Sequence, residues 1–124
     1  MAQERSYILP GGLAVERTQP AIGAVVSGID CSQPLSDALA ADLRTALYAH
    51  GVIFLRGQGG MRFSDHLALA EAFGTPVRDG PDPERPEITP VSARAGSREG
   101  TASTWHSDGV YQPEPPAVSV LRAI

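Results

Sequence analysis

At 124 residues the chain is long enough for one modest core and too short for several domains. Its composition is globular, 42% apolar and 19% charged, and a net charge of -4 gives no electrostatic case for a nucleic-acid partner or an anionic membrane. No stretch is apolar and long enough to span a bilayer, and residues 1–10 carry Glu4 and Arg5 where a signal peptide would be apolar, so the default location is the cytoplasm. Every basic residue is arginine, which we read as lineage bias. Cys31 is the sole cysteine; it excludes an intrachain disulfide and reads as a small structural residue near a turn.

Residues 13–19 and 22–27 read as short strands, broken by Pro20 and punctuated by Gly23 and Gly28. Ser36 then has the character of an N-cap, with Asp37 in the first turn. Leu39, Leu43 and Leu47 recur every four residues, Ala46 widens the stripe, and Gly51 stands at the C′ position, so the spacing predicts an amphipathic helix. His50, in its last turn, reads as a capping residue. Residues 52–55 (Val-Ile-Phe-Leu) read as a buried central strand and residues 56–60 as a loop. Ser64 is the expected cap of a second helix, with Leu67, Ala70 and Phe73 inward, His66 at the surface and Gly74 at its end. Residues 76–86 form a Pro- and Asp-rich loop, 87–92 a short strand, and 93–104 a small, polar segment that reads equally as a substrate lid or an ordinary connector. Residues 117–124 have the pattern of a final strand.

Between these lies Trp105-His106-Ser107-Asp108, in a stretch that reads as extended. Residues i and i+2 of a strand share a face, with Cα atoms roughly 6.6 Å apart. An imidazole and a carboxylate at that spacing can lean in on one metal ion. Such a pair supplies two of the three ligands of the facial 2-His-1-carboxylate site of non-haem Fe(II) oxygenases, the other histidine coming from elsewhere. Tyr111 is spaced to line the same pocket, and residues 112–116 (Gln-Pro-Glu-Pro-Pro) form a turn that ends the segment. Trp105 reads as scaffold packing on the opposite face.

These residues resemble the TauD/TfdA family of Fe(II)/2-oxoglutarate-dependent dioxygenases. The likeness is carried by residues 105–111 (Trp-His-Ser-Asp-Gly-Val-Tyr), Pro115-Pro116 and residues 119–123 (Ser-Val-Leu-Arg-Ala). It extends upstream through residues 22–30, 33–36, 50–58 and Ala72-Phe73-Gly74, in family order. The resemblance implies a mixed α+β fold over residues 1–124: the N-terminal part of a double-stranded β-helix (a jelly roll of the clavaminate synthase type) with two flanking helices, the C-terminal part of that domain being absent. It implies His106 and Asp108 as iron ligands, and Gly109, whose backbone approaches substrate in the family, as a substrate contact beside Tyr111.

The implied cofactors are Fe(II), 2-oxoglutarate as cosubstrate, and O2. The implied reaction is hydroxylation of a small organic substrate with release of succinate and CO2. Neither His50 nor His66 matches the distal ligand, and Arg122 does not match the arginine that holds 2-oxoglutarate, so the cofactor-binding residues are not assigned. Two positions depart from taurine-using members: Thr75-Pro76-Val77-Arg78-Asp79 lacks their histidine, and residues 101–104 lack their asparagine. That argues against taurine and leaves an anionic substrate open, with Arg78 either its contact or a solvated loop charge. Three other readings stay open: a catalytically incompetent fragment, a zinc-dependent hydrolase, and an interaction module. A small molecule is the expected partner, with self-association undecided.

Overall fold

Four short strands and two helices make up the regular structure of the computed structural model, which describes residues 5–91 and 105–124. In chain order they are β1 (Ser6–Ile8), β2 (Ala14–Arg17), β3 (Ala24–Ser27), α1 (Asp37–His50), β4 (Ile53–Leu55) and α2 (Phe63–Glu71). The chain divides into two compact units, Met1–Gly74 with Arg122–Ile124, and Thr75–Leu121.

All six elements belong to the first unit. Its sheet has the order β1-β2-β3-β4, antiparallel except for the parallel pair β3 and β4. A parallel pair needs a crossover, and α1 supplies it, packing against both strands. Tyr7, Val15, Val26 and Leu55 stand side by side across the four strands. Val15, Ala24 and Val26 are buried with Leu13, Leu43 and Ala46, and this is the core.

Helix α1 matches its expected bounds. Ser36 Oγ accepts the Leu39 N–H at 3.3 Å, and Gly51 (φ +71°) ends the helix with its N–H on the Leu47 carbonyl. Its buried face, however, is Asp42, Leu43, Ala46 and His50, while Leu39 and Leu47 are only half-buried. Asp42 is buried because it has work to do there: its two oxygens accept the backbone N–H groups of Gly11 at 3.0 Å and Leu13 at 3.1 Å. That clamps the β1–β2 turn onto the helix and satisfies donors that burial would otherwise leave bare. A Cβ on Gly11 would meet the Asp42 carboxylate and the Ala38 carbonyl, both at 2.7 Å, so only glycine permits the approach.

Several expectations need correction. β1 was not anticipated; three residues are too few for a period to declare itself. β4 is an edge strand within this sheet, and Phe54 is 45% exposed, so the apolar run at 52–55 marks a face without a cover here, not a buried centre. α2 is capped at Arg62, not Ser64: the Asp65 carboxylate accepts the Arg62 backbone N–H at 2.7 Å and its guanidinium at 3.0 Å. These bonds hold the Asp65 carboxyl down at a pKa of about 2. The buried residue of α2 is Leu69, with Leu67, Ala70 and Phe73 half-buried, and Arg44 Nη1 donates to the Ala72 carbonyl at 2.6 Å where the helix ends.

The second unit has neither helix nor strand among its described residues. Residues 87–91, 105–108 and 117–124 form no ladder, against expectation. A strand exists through its hydrogen bonds to a neighbour, and no described segment pairs with these. Turns hold residues 79–88 instead: Glu84 and Arg85 donate to Asp82, Ile88 to the Arg85 carbonyl, and Gly80 to the Pro86 carbonyl. The suggested lid, 93–104, lies outside the described residues, as does Ser92.

Candidate metal centre

His106 and Asp108 are brought together although no strand presents them. His106 Nε2 stands 3.3 Å from Asp108 Oδ1, and both side chains are open to solvent (49% and 62%). The segment turns at Asp108, and the Gln112 N–H closes the turn on the Gly109 carbonyl at 3.0 Å. Gly109 lies at φ +63°, and a Cβ there would sit 2.6 Å from Pro116 Cδ. Glycine is therefore demanded twice, by the left-handed backbone and by the proline packed over it. The Gln112 side chain adds a bond to Asp79 Oδ2 at 3.1 Å, tying the motif turn to the loop at 79. Asp108 has a second partner: Ser119 Oγ donates to Oδ2 at 3.3 Å.

The donor set fits a first-row divalent ion. Imidazole and carboxylate are the ligand types of the facial triad. Two neighbouring ligands, each about 2.1 Å from an ion and roughly at right angles, stand about 3.0 Å from one another. The 3.3 Å separation is close to that. No third ligand joins them: among the described residues there is no group of three His, Cys, Asp or Glu side chains able to hold a metal.

The other candidates fall out on inspection. His50 Nε2 is paired with the Tyr7 hydroxyl at 2.8 Å, and burial, with the nearby Arg17 charge, lowers its pKa. It is a packed tie between α1 and β1, more than the helix cap expected. His66 is half-buried on α2, in keeping with the partly exposed surface histidine expected. Arg78 is engaged by Glu87 at 2.6 Å, so its charge is already answered. Cys31 is buried, its thiol pKa raised by burial, and its N–H is held by Gln58 Oε1 at 2.8 Å, as suits a structural residue. A depression of about 130 Å³ beside it is lined by Gln33, Leu35, Arg62, Asp65 and Leu69, and its two charged groups are spent on each other. Trp105, expected to pack, is fully exposed, and Tyr111 is 83% exposed. Ser119, which sequence reasoning left out, is reached only through the turn that folds residue 119 back onto residue 108.

Residues 14–124 match the family described as "Taurine catabolism dioxygenase TauD, TfdA family". The chain belongs to the TauD/TfdA family. Dioxygenases of this family use Fe(II), 2-oxoglutarate and O2. Among its relatives is an alkylsulfatase of Acinetobacter baylyi, 33% identical over 110 residues, a match covering 83% of this chain and 32% of that protein. An alpha-ketoglutarate-dependent sulfate ester dioxygenase of Pseudomonas putida is 29% identical over 103 residues, covering 83% of this chain and 34% of that one. Pentalenolactone F synthase of Streptomyces avermitilis is 30% identical over 115 residues, covering 84% and 38%. The chain thus spans about a third of the length of the curated relatives it matches. Among solved structures, AAD-2 in complex with Mn(II) and N-oxalylglycine aligns with a TM-score of 0.49 at 25% identity, over 52% of this chain and 23% of that chain. No helix among the described residues is long and apolar enough to cross a membrane.

Proposed function

We propose that this chain is the N-terminal part of an Fe(II)- and 2-oxoglutarate-dependent dioxygenase that hydroxylates a small organic substrate and releases succinate and CO2. The observation that carries the reading is the approach of His106 Nε2 to Asp108 Oδ1, 3.3 Å apart, in a chain of the TauD/TfdA family. His106 and Asp108 would hold the iron, and the third ligand and the residues that grip 2-oxoglutarate lie in polypeptide beyond the third of the relatives matched here. In this reading the mixed sheet with its two helices precedes the motif within a double-stranded β-helix, and the edge strand β4 is where further strands would pair. Bound iron supplies the oxidising power. The chain's own residues orient: Gly109 and Pro116 set the turn, Gln112 anchors it, and Tyr111 lines the approach to substrate.

The names of two relatives, an alkylsulfatase and a sulfate ester dioxygenase, support a sulfate ester as the substrate class. The Arg78–Glu87 pair argues that the anion is met by another residue. The test is succinate formation from 2-oxoglutarate by the full natural protein, with Fe(II), in air, across a series of alkyl sulfates. The reading predicts substrate-dependent succinate that vanishes without iron. Equal succinate with and without Fe(II) contradicts it. A 124-residue polypeptide with no turnover beside an active longer protein favours the incompetent-fragment reading, which the two-ligand site already motivates.

A further inference from the structure

We propose that Ser119 is a positioning residue for Asp108, holding one carboxylate oxygen so that only the other is offered to a metal shared with His106. The inference rests on the reading of the site given above and adds a residue to it. The carboxylate is divided between two partners: Oδ1 faces His106 Nε2 at 3.3 Å, and Oδ2 takes the Ser119 hydroxyl at 3.3 Å. Ser119 stands eleven positions after Asp108, and the turn closed by Gln112 and packed by Gly109 on Pro116 lies between them.

The chemistry gives that division a purpose. An aspartate with both oxygens free can chelate a divalent ion through the pair, taking up two coordination positions. A facial triad has to leave its remaining positions open. Tethering Oδ2 leaves the carboxylate one oxygen to give. At 3.3 Å the bond is long for a hydroxyl on a carboxylate, so it acts by fixing orientation more than by adding stability. Ser119 is exposed, so a role in filling a core does not explain it.

The test uses metal alone on the full natural protein, without turnover. Mn(II) affinity is titrated by the loss of the free-ion electron paramagnetic resonance signal, and Co(II) absorption in the visible reports the coordination at the site. Ser119→Ala is expected to weaken Mn(II) binding by about 10-fold, the low end for loss of a hydrogen bond to a ligand. It is expected also to alter the Co(II) bands, as the freed oxygen joins the metal. Ser119→Thr, which keeps the hydroxyl, restores both. The inference is overturned if His106→Ala abolishes binding while Ser119→Ala leaves affinity and bands unchanged, or if Ser119→Thr restores neither; the reading of the site survives either result. If the full natural protein binds no Mn(II), or its His106→Ala variant binds as well as wild type, the reading of the site fails and Ser119 with it.

Discussion

The two units solve different problems with the same chain. In the first, main-chain donors and acceptors find partners inside the fold: the sheet ladders, the Ser36 cap, the Asp42 clamp and the Gln58 bonds to Ile29 and Cys31. In the second, the residues that carry chemistry stand in the open, held by a few turns and by side-chain bonds from Ser119 and Gln112. A scaffold is stable through burial, whereas a metal site has to leave its ligands reachable. Substitutions in the first unit should therefore cost stability and leave metal binding alone, and substitutions in the second should do the reverse.

The largest effect expected in the first unit is from Leu43→Ala, which removes a fully buried side chain at the helix–sheet contact. Urea unfolding should show a loss of about 3 kcal/mol. Asp42→Ala follows at about 2 kcal/mol, because the Gly11 and Leu13 N–H groups lose their acceptor. If Asp42→Ala were neutral, the turn would not depend on the helix and the clamp would be wrong. Across the divide, Gly109→Ala has to bear a left-handed φ and a clash with Pro116, at about 1–2 kcal/mol of local strain. Weaker Mn(II) binding with an unshifted urea midpoint would sharpen the contrast; the opposite pattern would break it.

The smallest effects concern pH. The His50 pKa is lowered by burial and by Arg17, so the unfolded chain takes up the proton first. The contribution of neutral His50 is present above its ordinary value of 6.5 and is lost as pH falls below that, toward the lower folded value. Denaturation midpoints measured between pH 7 and 5 should fall, and less steeply in His50→Gln. Asp65 acts in a separate window: its depressed carboxyl supports the fold above pH 3.8 and loses that support as pH falls toward about 2.

What was legible in the sequence follows the same divide. α1 could be read because a cap, a four-residue repeat and a terminal glycine agree on one answer. Even there the stripe of Leu39, Leu43, Ala46 and Leu47 caught only Leu43 and Ala46 of the buried face, since hydrophobicity cannot show that Asp42 goes inside to meet two backbone donors 29 and 31 residues away. β1 was too short to see, although Pro10-Gly11-Gly12 between two apolar stretches is a hairpin signal. The start of α2 was misread because Asp65, not Ser64, is the residue that closes on the helix end. At the site, the spacing of His106 and Asp108 was enough to pair them, but for a different reason than the one that suggested it. No strand presents them, and the turn that follows begins only at Asp108. Ser119 was invisible because its contact exists only once that turn has formed.

The central claim is that His106 and Asp108 hold one iron ion between them. The most direct measurement is Fe(II)-dependent succinate production by the full natural protein carrying His106→Ala or Asp108→Ala, alongside Leu43→Ala at a temperature where all are folded. Loss of at least about 100-fold in both ligand variants, with Leu43→Ala near wild type, is the predicted result. Undiminished succinate from either ligand variant would contradict the account.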